Sequence, residues 1–106
     1  MAKYLLQVSY TAEGAKGVLK DGGTKRRAAA QAVVKSLGGK LETFYFAFGD
    51  TDVFAIVDFP DAASAAAASL AVAASGAVTS KLTVLLTPDE IDASAKKSPK
   101  YVPPGR

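Results

Sequence analysis

A chain of 106 residues, 49% of them hydrophobic, has room for one globular domain with a modest core and none for a second. It contains no cysteine, histidine, asparagine or tryptophan, which excludes disulfides, thiol and imidazole catalysis, a histidine-held haem and every Cys/His metal site. The net charge of +3 comes from the tail: Lys96, Lys97, Lys100 and Arg106 all follow the last acid, Asp92, and without those four the thirteen bases become nine against ten acids, so the body carries no basic nucleic-acid face.

Near the start, the apolar run after Lys3 stops at Gln7, and no apolar stretch reaches bilayer length. The expectation is a cytoplasmic protein of prokaryotic type with neither a membrane nor a nucleic-acid partner. Lys3 to Tyr10 alternates, placing Tyr4, Leu6, Val8 and Tyr10 on one face and Lys3, Leu5, Gln7 and Ser9 on the other, which predicts a half-buried first strand. Thr11 can cap a following helical turn, where Ala15, Val18 and Leu19 are spaced for one face. Asp21-Gly22-Gly23 interrupts it. Thr24 is then the expected cap of a second helical segment bearing Ala29, Val33 and Leu37, ended by Gly38-Gly39.

Leu41 to Asp58 reads as a β-hairpin, two aromatic and β-branched runs joined by the turn Gly49-Asp50-Thr51-Asp52. Alternation sets Phe44, Phe46 and Phe48 opposite Leu41, Tyr45 and Ala47, and sets Val53, Ala55 and Val57 opposite Phe54 and Ile56. Pro60-Asp61 supplies a stop and a cap. The run Ala62 to Ser75, mostly alanine and serine around Leu70 and Val72, is predicted to be a helix, because alanine has the best helix propensity and the run lacks the charge, proline and glycine of disordered segments. Its small side chains allow close approach to a sheet. After Gly76, Ala77 to Leu86 predicts a fourth strand with Val78, Leu82, Val84 and Leu86 on one face and Thr79, Lys81, Thr83 and Leu85 on the other. Thr87-Pro88-Asp89-Glu90 is a capping-box start for a short terminal helix.

The order β-α-β-β-α-β predicts an α+β, ferredoxin-like sandwich over residues 1–95 with both helices on one face, followed by a basic, proline-containing tail over 96–106. Such a sheet leaves its other face open. That face should be polar in a monomer, yet it carries apolar and aromatic residues, so a sheet-to-sheet homodimer or higher homo-oligomer is expected.

Lys3-Tyr4-Leu5-Leu6-Gln7-Val8-Ser9-Tyr10-Thr11, Gly38-Gly39-Lys40-Leu41-Glu42, Phe44-Tyr45-Phe46 and Phe48-Gly49-Asp50-Thr51-Asp52-Val53 together resemble the GYD family of small prokaryotic proteins, over roughly residues 2–93. The Gly-Tyr-Asp signature falls on Gly49, Thr51 and Asp52, with Thr51 in place of the tyrosine. The resemblance implies a ferredoxin-like fold of the dimeric α/β-barrel type and no established activity. The hairpin is also similar to that of the effector-binding domains of leucine-responsive regulators, which implies small-molecule sensing.

Candidate site residues follow from chemistry that the composition still permits. Gln7, Ser9, Tyr10, Tyr45, Lys81 and Thr83 are candidates for lining a polar cavity on the open sheet face, against the plainer reading that they satisfy one another at a dimer interface. Asp50 and Asp52 serve the turn and also offer two carboxylates to a cationic or hydrogen-bonding ligand at the mouth of that cavity. Arg26 and Arg27, beside Lys25 at the start of the second helical segment, are candidates for an anion site, although basic residues there are more often a solvated face. Phe44 to Phe48 lacks the glycine pattern and basic surround of an RNA-stacking strand. No cofactor or metal is expected. The predicted function is an oligomeric small-molecule-binding or interaction module with its site between sheet faces. The alternative is a cofactor-independent monooxygenase or isomerase working through Asp50, Asp52, Tyr10, Tyr45, Arg27 or Lys81.

Overall fold

The computed structural model describes residues 2–106, and its elements follow the predicted order. Strands β1 (Ala2–Tyr10), β2 (Lys40–Phe46), β3 (Val53–Phe59) and β4 (Val78–Leu85) alternate with helices α1 (Ala12–Asp21), α2 (Gly23–Ser36), α3 (Ala62–Ala74) and α4 (Pro88–Ala95). The strands make one antiparallel sheet in the order β2-β3-β1-β4. A four-stranded antiparallel sheet with four helices, counted among the described residues, is an α+β architecture consistent with the expected ferredoxin-like one.

The alternation along β1 and β3 decides which face is covered. Tyr4 and Val8 of β1, Val53, Ala55, Val57 and Phe59 of β3 and Val78 of β4 are buried beneath the helices, joined there by Val34 of α2 and Ala65 and Ala68 of α3. Val53, Val57 and Phe59 are essentially sealed from solvent, each worth about 1.5–3 kcal/mol of apolar burial. The Tyr4 and Phe59 rings meet edge to face at 5.9 Å, which orients the end of β1 against β3.

Local signals set most boundaries. Thr11 accepts the Gly14 N–H at the start of α1, Asp61 accepts the Ser64 N–H at the start of α3, and Thr87 and Glu90 form a reciprocal capping box on α4. Gly22, at φ 82°, ends α1 and starts α2 in a single residue. That reversal puts Gly23 at the first helical position, so Thr24 lies inside the first turn and does not cap it.

Three expected faces differ in the structure. A register shift between Leu41 and Thr43 inserts Glu42 as a bulge, so Leu41 opposite Val57 and Phe44 opposite Ala55 both turn toward the helices; strict alternation had set them on opposite faces. Phe48 lies beyond the end of β2 and is fully exposed. On the helices, Leu19 and Leu70 point to solvent. α1 docks through Gly14, its buried residue, which lies against the Ala77 carbonyl and the Tyr10 ring, while α3 packs through Ala65, Ala68 and Val72, a helical repeat that excludes position 70.

Candidate functional site

The turn after β2 is tied down by its own aspartates and by β1. The Ala47 N–H donates to the Asp52 carbonyl at 2.8 Å and the Asp52 N–H donates to the Val8 carbonyl at 2.8 Å. The Asp52 carboxylate accepts the Tyr10 N–H at 2.7 Å, and Ser9 Oγ donates to the Asp50 carbonyl at 2.8 Å. Asp52 therefore carries the turn's attachment to the end of β1. Asp50 contributes its backbone while its side chain stays at the exposed tip.

Beside this turn, on the face away from the helices, Gln7, Ser9, Thr51, Thr79 and Lys81 line a shallow polar recess of about 260 Å³. Pairing of β1 with β4 sets Gln7 directly across from Lys81 and Ser9 across from Thr79. Three of the residues expected from the sequence, Gln7, Ser9 and Lys81, thus come together, with Thr51 at the rim. Tyr45 shares that face, but lies two strands from Gln7, across Phe54, and is 70% exposed. Tyr10 faces the other way, toward the helices, because it is one residue out of phase with Ser9.

The rest of the open face is mixed in chemistry. Leu5 pairs with Ile56 on one side and Thr83 on the other, and Phe54 lies between Tyr45 and Gln7. At its far end Lys3 makes ion pairs with Glu42 of the bulge and with Asp58 at 3.2 Å. Both carboxylates hold the Lys3 ammonium above its ordinary pKa, Glu42 more strongly than Asp58.

A second, larger space lies between the helices and the sheet. It is a partly open cavity of about 300 Å³ floored by Leu6, Val8 and Leu82 and walled by Ala30 and Val33 of α2 and Ala68 and Val72 of α3. Its cause is compositional. A helix of leucines in place of α3 would fill the layer above the sheet, whereas alanine and serine leave it unfilled. The volume lies at the lower end of the range for small-molecule pockets. Only one charged side chain lines it, that of Arg26, and Tyr10 lines it too. Burial raises the Tyr10 phenol above its usual pKa, while the positive charge of the Arg26 guanidinium beside it pulls the other way. The phenol is protonated at neutral pH, as any tyrosine not pushed below its ordinary pKa is.

Arg26 and Arg27, paired in the sequence reading, are separated by the helix: Arg26 turns into the cavity and Arg27 is exposed, as is Lys25. The cavity itself went unpredicted. Its sequence signal was the alanine–serine run of α3, read as a surface for close packing; it packs closely at Ala65 and leaves space around Ala68, Ser69, Ala71 and Ser75. Among the described residues no cluster of three His, Cys, Asp or Glu side chains is placed to hold a metal ion. No helix among them is long and apolar enough to cross a membrane.

The GYD domain model matches residues 4–95, and the chain belongs to that family. No curated protein and no solved structure gives a match.

Proposed function

We propose that the protein is a homo-oligomeric module that binds a small, largely apolar molecule in the cavity between its helices and its sheet. The observation that carries this reading is the cavity: about 300 Å³ of apolar-walled space, with Arg26 and Tyr10 as its convergent polar groups. The protonated Tyr10 phenol suits it to donate a hydrogen bond, and favours binding over general-base catalysis. The open sheet face, with Leu5, Phe54 and Ile56 at its centre and Tyr45 on the edge strand beside them, suits a second copy stacked sheet to sheet, in the manner of a ferredoxin-like dimeric α/β barrel. In such a dimer the recess at Gln7, Ser9 and Lys81 would close between the two sheets.

The test is titration of a naphthalene-type fluorescent probe against the wild type and Ala68→Leu, with light scattering on both. Saturable binding to the wild type that is lost in Ala68→Leu, at unchanged circular dichroism, supports the cavity as the site. Equal binding by both proteins sinks it. A scattering mass of one chain at micromolar concentration would remove the oligomer, and a two-chain mass that falls to one in Ile56→Lys supports sheet-to-sheet pairing.

A further inference from the structure

We infer that the ligand of this cavity is a monocarboxylate with a compact apolar body, its carboxylate received by Arg26 and Tyr10. The inference rests on the cavity reading above and names the chemical class it would take. Arg26 stands half-buried on the cavity side of α2, and the ion pairs found among the described residues all belong to Lys3. No carboxylate therefore lies within ion-pair distance of its guanidinium. Asp52, the carboxylate whose charge acts on the Tyr10 phenol, already accepts the Tyr10 backbone N–H at 2.7 Å. The other side chains lining the cavity are uncharged.

A guanidinium presents five N–H donors in a planar fork that matches a carboxylate bidentately. Beside the Arg26 fork sits the Tyr10 phenol, protonated at neutral pH and able to donate. A group with several acceptor atoms is what both side chains lack. Away from that end the walls are alanine, valine, leucine and phenylalanine, with scattered serine hydroxyls. A polar or dianionic body would be desolvated there without partners, whereas an aromatic or branched hydrocarbon would gain from burial. Head and body are thus specified by different parts of the same space.

The experiment compares 2-naphthoate with its uncharged isostere 2-naphthamide by calorimetric titration at neutral pH, against the wild type, Arg26→Met and Tyr10→Phe. Arg26→Met keeps the aliphatic stem and removes the charge. The wild type is expected to prefer naphthoate by about tenfold or more, the scale of a charge-assisted hydrogen bond. Arg26→Met should abolish that preference by weakening naphthoate far more than naphthamide, and Tyr10→Phe should weaken naphthoate several-fold. If the wild type binds both probes equally, or prefers the amide, the carboxylate inference is overturned and the cavity reading stands. If it binds neither, both are overturned. The wild-type comparison decides the matter even if a variant fails to fold.

Discussion

Two glycines three residues apart in α1 should respond oppositely to the same substitution. An alanine methyl at Gly14 would lie 2.0 Å from the Ala77 carbonyl oxygen and 2.9 Å from its carbon, whereas at Gly17 it meets nothing within 4 Å. A carbon and a carbonyl oxygen come no closer than about 3.3 Å without strain, so α1 must move by more than an ångström or the turn before β4 must yield. Either displacement strains the Thr11 N–H and Oγ1 bonds to the Ala77 carbonyl, both 3.0 Å long. Overpacking costs about 1–3 kcal/mol and each weakened hydrogen bond about 0.5–1.5 kcal/mol, against a helix-propensity gain of about 0.5–1 kcal/mol. The net expectation for Gly14→Ala is a loss of about 2–3 kcal/mol, or about 10–20 °C in Tm for a domain of this size. Gly17→Ala receives the propensity gain alone, a rise of about 3–6 °C. Thermal melts followed by circular dichroism measure both. A Gly14→Ala protein as stable as Gly17→Ala would refute the docking of α1 on the Ala77 carbonyl.

Three further outcomes follow from the packing and the charges. Val57, fully buried at the centre of β3, should cost about 2–3 kcal/mol when changed to alanine, read as a lower urea midpoint at unchanged slope; a loss below about 1 kcal/mol would mean that the site collapses around the deletion. Asp61 is held below its ordinary pKa by the Ser64 N–H at the cap of α3. Its contribution is therefore present above the unfolded pKa and lost as pH falls through the lower folded one, so Asp61→Asn, which keeps a cap acceptor, should flatten the decline of Tm below about pH 4. Lys3 is held above its ordinary value by Glu42 and Asp58, so its contribution is complete below the unfolded pKa and disappears as pH rises through the folded one. Lys3→Met should remove the part of the alkaline destabilisation that lies above about pH 10.4; a melting profile identical to the wild type there would count against those ion pairs contributing to stability.

Element order, helix caps and the turn were legible in the sequence because each depends on residues close together in the chain. Thr11, Asp61 and Thr87 cap helices wherever those helices go, and the alternation in β1 and β3 declares a buried face before any partner is known. Thr51, within the turn that the sequence predicts, sits at the rim of the polar recess.

What the tertiary structure decided depends on distant segments meeting. The bulge at Glu42 arises from the pairing of β2 with β3, and it alone turns Leu41 toward the helices. Tyr10 parts from Gln7 and Ser9 because β1 has two faces, and it meets Arg26 because α2 crosses the face that Tyr10 occupies. The alanines of α3 announced a helix through their own backbone preference. That they would leave a cavity is a property of the space between α3, α2 and the sheet, and volume between elements is fixed only when the elements pack.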